Sequence, residues 1–497
     1  MRSTFRGFLT LSPLTMTTAV AALVQNKVLA VVVGPSGVGF YGLALTLATL
    51  FSTIAALGIS AALMKRIAEI GGTEHESDTW GTAVLGIGTV VVVSALLTAL
   101  VILNYHLVAD LFLKSDTISD SDRRFIVVAS AVGILPAALV PTMGGFLRGL
   151  RSLREYVIAG VIGAIALVVA IVVGALVGDA RGAFIGFLIG EVINAATLFV
   201  YALRVARGKG ISFRIHLERR HLVTIEKALL VLGILALVAG LGSNVGQAVA
   251  RAHLANAFNL QAVGFFAAAW AISNRVPNLI YQTFTSYLMP EISALRRNWE
   301  PIVKIQNDAC RISLLAVTPV LSLAIAAGPW IVSILLSESF QPMVDLLRLM
   351  FIGELISVVA WAGGSALYPS GRPLSSAVFE WSFWAVFVAG VFVAAGADEL
   401  NAVGGAYIVA EAVLVAMIYV WERRHHNFRW SAQNLRLIAL SLVVISASAV
   451  LAMLTGLPTV VAVALVACLL AVWAFTAVHP SEWATLREAL HRRRGRT

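Results

Sequence analysis

Fourteen stretches of this chain are apolar and long enough to cross a bilayer as helices, since a helix rises about 1.5 Å per residue and roughly 20 residues span the hydrocarbon. They run over 9–33, 38–64, 80–103, 125–147, 156–177, 183–203, 228–255, 262–287, 312–336, 343–366, 375–395, 403–421, 437–454 and 459–477. Barrel strands would instead alternate polar and apolar residues over about ten positions. Composition agrees: 59% of the 497 residues are apolar and 12% are charged, against roughly a quarter charged in soluble domains. The expected fold class is all-α, a polytopic membrane protein with about 14 transmembrane helices. The first run is long enough to span and lacks a small-residue cleavage site at its end, so it reads as a span rather than a cleaved signal.

Lysine and arginine collect in cytoplasmic loops because they resist transfer. With the amino terminus inside, the outer loops hold only Lys114, Arg123, Arg124 and Arg181 of the 36 basic residues. A multi-pass protein of the bacterial inner membrane with both termini cytoplasmic is expected. The tail "HRRRGRT" then fits topology and contact with anionic membrane lipids rather than nucleic acid. Cys310 and Cys468 lie at or inside the membrane and form no disulfide pattern.

The chain is duplicated. Residues 38–67 align without a gap to residues 263–292, with seven identities that include the opening Val-Gly-Phe. A second match sets "GEVINAATLFVYALR" against "AEAVLVAMIYVWERR", placing Glu191 on Glu411. These pair the second run with the eighth and the sixth with the twelfth. Spans six apart keep one direction through the membrane, so the halves are expected to be related by a pseudo-two-fold along the membrane normal. The expected organisation is an N-lobe over 1–205, a basic cytoplasmic linker over 206–227, a C-lobe over 228–424, two extra helices over 425–477, and a basic cytoplasmic tail over 478–497.

Gly37, Gly39 and Gly42 have the spacing G-x-G-x-x-G of a dinucleotide turn. The second copy replaces Gly37 and Gly42 by Ala262 and Ala267, and no acidic residue follows before Glu69. A ribose-binding acid is needed about 20 residues on, so the motif is not a nucleotide site. "GPSG" is read instead as a tight outer turn in which Pro35 fixes φ and glycine permits the reversal.

The stretches "KVLAVVVGPSGVGFYG" and "LGISAALMKRIAE" resemble the amino-terminal signature of bacterial polysaccharide-lipid flippases. These are the O-antigen and enterobacterial-common-antigen type within the multidrug/oligosaccharidyl-lipid/polysaccharide exporter superfamily. "WIVSILLSESFQPMVDLLRLM" resembles the family's approach to its tenth helix, except that Ser337 stands where relatives often carry glycine. The resemblance spans roughly residues 10–425. It implies two six-helix lobes around a central cavity, alternating access, and movement of an undecaprenyl-pyrophosphate-linked oligosaccharide from the cytoplasmic to the periplasmic leaflet. The implied partners are that substrate, together with polysaccharide polymerase and chain-length machinery; no cofactor is expected.

Four cations fall inside the apolar runs: Lys27, Arg251, Arg275 and Arg348. A mid-membrane cation costs about 2.5–3.5 kcal/mol on insertion scales, so each should face a cavity or a partner. Lysine offers a compact charge and arginine a planar fork for phosphate oxygens, which makes all four candidate substrate-binding residues. Arg275 is the deepest, although it could instead pair with Glu354. Lys27 could snorkel to headgroups. Pro277, Pro136, Pro141 and Pro319 invite kinks. Glu354, Glu191 and Glu411 are candidate ion-coupling carboxyls, because an acid in low dielectric can exchange a proton as water access alternates; the pair Glu191 and Glu411 equally suits helix packing, and Glu380 snorkelling.

Two alternatives stay open. A cation-coupled multidrug antiporter of the same superfamily would need a cavity that attracts cations, which four intramembrane cations oppose. A membrane polysaccharide polymerase or glycosyltransferase would need catalytic groups in an outer loop. The longest such loop, Asn104 to Arg124, offers Asp116, Asp120 and Asp122, but lacks the glycine turn and terminal glutamate of a calcium loop. No metal site, P-loop or catalytic triad is found, and the chain is read as a transporter rather than an enzyme.

Overall fold

The computed structural model describes residues 2–70, 78–113, 118–211, 219–295, 298–367, 369–370, 372–454 and 457–477. Among them there is no strand. Asp116 and the basic tail lie outside the described residues.

The chain divides into two compact units. The first holds residues 1–268, 335–340 and 391–398. Its helices are α1 (Arg2–Val32), α2 (Gly34–Ala56), α3 (Ile59–Ile70), α4 (Asp78–Leu103), α5 (Tyr105–Phe112), α6 (Asp120–Gly149), α7 (Leu153–Gly208), α8 (Arg219–Ala257) and the first part of α9 (Leu260–Ser273). The second holds residues 269–334, 341–390 and 399–497. It carries α10 (Arg275–Ala294), α11 (Trp299–Ala326), α12 (Gly328–Leu335), a 3-10 turn (Glu338–Met343), α13 (Val344–Gly364), α14 (Pro373–Gly396), α15 (Ala402–His426), α16 (Ala432–Leu454) and α17 (Thr459–Ala477); three of these elements pass some residues to the first unit.

Among the described residues ten helices are long and apolar enough to cross a membrane, or eleven when the pair Leu229–Val238 and Gly240–Ala257, bent by 44°, counts as one span. The difference from fourteen runs has local causes. α7 contains two runs, 156–177 and 183–203, in one 56-residue element that reverses at Gly178 and Asp179, the latter at φ 52°. The run 262–287 breaks at Asn274 into pieces of 14 and 20 residues. α13, which carries Asp345, Arg348 and Glu354, is not among the ten.

The outward faces confirm the solvent. Val177 is 85% exposed and Leu103 82%. Ranks of such side chains along helices whose backbone is internally satisfied suit lipid rather than water. The two arms of α7 close against each other through glycines. A Cβ on Gly174 would strike the carbonyl of Gly182 and one on Gly182 that of Gly174, while Gly186 faces Ala170 and Gly190 faces Leu167. Small residues of this kind let backbones approach where lipid supplies no hydrophobic drive.

The turn between α1 and α2 forms as expected, with Gly34 at φ 64° and Pro35 in the first turn of α2. Gly39 on α2 faces the Leu260 carbonyl of α9, and Gly264 on α9 faces the Pro35 carbonyl of α2. At the repeat offset of 225, Pro35 corresponds to Leu260 and Gly39 to Gly264. The crossing therefore has two-fold character. Both repeat copies are interrupted, but at different places: Leu57 and Gly58 break the first, Asn274 the second.

Pro277 sits three residues past the interruption at Asn274. It lies in the first turn of α10, and its missing N–H leaves the carbonyl of Ser273, four residues back, without the usual helical donor. Pro136 and Pro141 lie inside α6 and Pro319 inside α11, which continue past them.

Candidate functional site

The four cations that fall inside the apolar runs have four different settings. In the first unit, Lys27 on α1 is half-buried and donates to the carbonyl of Leu336. Ser337, the position where relatives often carry glycine, donates its hydroxyl to the Ala30 carbonyl at 3.1 Å. The serine thus anchors the segment that receives Lys27.

Arg251 on α8 is 9% exposed. One terminal nitrogen donates to the Gly42 carbonyl at 3.1 Å and to the Thr46 hydroxyl, and the other to Gln247 Oε1 at 3.2 Å. Its Nε is buried with no partner. Every one of these acceptors is neutral, and among the described residues no ion pair includes Arg251. A Cβ at Gly42 would stand in ordinary van der Waals contact with the guanidinium, at 4.0 Å.

In the second unit, Arg348 on α13 is compensated. It pairs with Asp345 at 2.8 Å and donates to the Ile325 carbonyl in the last turn of α11 at 3.2 Å, so it satisfies an orphan helix-end acceptor. Arg275 is the first residue of α10 and is exposed. A cation at a helix N-terminus opposes the helix dipole, so local helix electrostatics give no reason for it.

The acids behave differently. Glu354, 3% exposed, accepts from the Ser273 hydroxyl at 3.2 Å and from Tyr407. Glu411, 4% exposed, interacts electrostatically with Glu354 and with Glu380, and its Oε2 is buried with no partner among the described residues. Glu380 accepts from Trp384 Nε1 at 3.0 Å. Three carboxyls on α13, α14 and α15 therefore converge in one lobe. Glu191, the repeat mate of Glu411, lies half-buried on α7, within electrostatic reach of Tyr41, whose hydroxyl accepts from Gln25 at 3.2 Å.

Glu380 also lines a cavity of about 330 Å³ formed by α10, α13, α14 and α15. Ser357 and Trp361 continue the Glu354 face of α13 at i+3 and i+7, and Leu414 and Ile418 continue the Glu411 face of α15 in the same way. The roles of Ser273 and Tyr407 were not foreseen. Tyr407 stands four residues before Glu411, the spacing that puts two side chains on one helix face, and that signal was available. Ser273 is the last residue of α9, next to the interruption at Asn274. Among the described residues no group of three or more histidine, cysteine, aspartate or glutamate side chains could hold a metal ion.

The model of a family described as "Polysaccharide biosynthesis protein" matches residues 4–296, more than half of the chain. The protein belongs to this family. Comparison with curated proteins gives no match. Among solved structures, an inward-facing multidrug resistance MATE family transporter of the MOP superfamily superposes with TM-score 0.71 at 16% identity, covering 85% of this chain and 98% of that one. Lipid II flippase MurJ, in an inward closed conformation, superposes with TM-score 0.70 at 13% identity, covering 95% and 100%. A MOP superfamily transporter from Pyrococcus furiosus, described by the reverse polarity of its binding pocket, reaches TM-score 0.57 at 14% identity, covering 86% and 96%. This member of the polysaccharide biosynthesis family thus has the fold of MOP superfamily transporters and is a multi-pass membrane protein.

Proposed function

We propose that the protein is a flippase that carries an undecaprenyl-pyrophosphate-linked oligosaccharide from the cytoplasmic to the periplasmic leaflet of the bacterial inner membrane by alternating access. It acts without enzymatic chemistry, both termini face the cytoplasm, and the exported units pass to polysaccharide polymerase and chain-length machinery. The observation that carries this reading is Arg251: a buried guanidinium whose partners are all neutral. A charge of that kind is expensive in hydrocarbon, and an anionic headgroup in transit offsets it. Arg275 is the second phosphate ligand, exposed where a helix begins. Lys27 and Arg348, each bound to protein carbonyls, position the segments around the path.

Glu354 and Glu411 couple the cycle to an ion gradient. The same carboxyl cluster favours a second reading, a cation-coupled multidrug antiporter, in which the acids would receive the substrate. Gene deletion separates the two: a flippase defect traps the lipid-linked oligosaccharide on the cytoplasmic face, a polymerase defect leaves single repeat units outside, and an antiporter defect changes drug susceptibility with polysaccharide intact. In the same assay Arg275→Ala abolishes surface polysaccharide while the protein stays in the membrane; full activity of that variant removes Arg275 from the mechanism.

A further inference from the structure

We infer that the cavity of the second unit is a saccharide subsite for neutral sugar residues, an assignment that rests on the flippase reading and specifies what that substrate carries. The rings of Tyr281 and Trp361 stack at 4.9 Å with an interplanar angle of 23°, and both residues line the cavity together with Phe379. Flat aromatic surface of this kind receives the C–H face of a pyranose. Around it stand acceptors and donors for hydroxyl groups, Ser357, Ser376 and Glu380. The Trp384 indole holds Oε1 of Glu380 and thereby orients the carboxyl, whose other oxygen accepts from a ligand hydroxyl.

The charge of the walls decides the ligand class. Among the described residues no lysine, arginine or histidine lines the cavity, while Glu380 does and Glu411 and Glu354 interact electrostatically beside it. A phosphate or uronate group would therefore find no cationic partner in the walls. A neutral, hydroxyl-rich ring meets the Glu380 carboxyl and an aromatic face at once. At about 330 Å³ the cavity falls near the lower end of small-molecule sites, roughly 300–1,000 Å³, room for one or two sugar rings.

The test uses the full-length protein in nanodiscs with saturation-transfer NMR and three probes: N,N′-diacetylchitobiose as a neutral disaccharide, a glucuronate-containing hyaluronan disaccharide as an acidic one, and tetraphenylphosphonium as a lipophilic cation. The expected result is binding of the neutral disaccharide only. Trp361→Ala weakens it about tenfold, as loss of an aromatic surface does, and Trp361→Phe restores most of it. Glu380→Gln, which keeps the shape but replaces a hydroxyl-accepting oxygen by an amide, weakens it about fivefold, the loss of one hydrogen bond, and decides the matter if Trp361→Ala does not fold. Equal binding of the acidic disaccharide, or of the phosphonium ion in place of sugar, overturns the assignment. No sugar binding by a protein whose deletion traps the precursor inside overturns the subsite and leaves the flippase standing; sugar binding without trapping does the reverse.

Discussion

Gly39 and Gly264 are equivalent residues of the two repeats, and each lies against the backbone carbonyl of the other's helix four residues before its partner glycine. The relation explains why these two glycines survive duplication while the positions of Gly37 and Gly42 become Ala262 and Ala267. Gly39→Ala and Gly264→Ala should each destabilise the protein by about 1–3 kcal/mol, the range for overpacking a tight contact. Gly42→Ala, whose added carbon meets its neighbours at 3.5 Å and 4.0 Å, should leave stability nearly unchanged. Thermal unfolding of the three purified variants checks this, and equal melting temperatures would remove the crossing as a stability determinant.

Arg251 sets function against stability. Arg251→Met removes a buried charge that has no ionic partner, so the variant should unfold at the wild-type temperature or above while export of surface polysaccharide drops at least about tenfold, the loss of one charged hydrogen bond. A variant that is both stable and fully active would dissociate Arg251 from transport.

Arg348 should behave as a structural residue. Its pair with Asp345 is half-exposed on the acid's side, which puts the coupling at about 0.2–1 kcal/mol in a double-mutant cycle of Arg348→Gln and Asp345→Asn. Activity per folded molecule should stay constant across the cycle. A drop in specific activity at normal protein level would give Arg348 a direct role.

Glu354→Gln keeps a side-chain oxygen for Ser273 and Tyr407 but cannot exchange a proton. In proteoliposomes the initial transport rate of the variant should no longer respond to an imposed pH gradient, whereas the wild type should. An unchanged response places coupling elsewhere.

The apolar runs made the helical fold legible because length and hydropathy are local properties. The helix breaks were harder to see. Pro277 marked the right region, yet the interruption falls three residues earlier, since proline is comfortable in a first turn. The cations inside the apolar runs were visible as violations of composition, but their partners were not: Arg251 rests on Gly42 and Thr46, and Arg348 on Ile325, contacts that sequence spacing does not encode. The convergence of Glu354, Glu380 and Glu411 depends on how α13, α14 and α15 pack, and only the Tyr407–Glu411 spacing hinted at it.

The tie between Lys27 and Leu336 joins residues 309 positions apart. At about 5–20 residues per second of synthesis, the ribosome needs roughly 15–60 seconds to deliver the acceptor after the lysine has emerged. Throughout that interval the nascent first span holds an ammonium that must stay near the headgroups, so its final depth is fixed late, by a segment made after more than half of the protein is already in the bilayer.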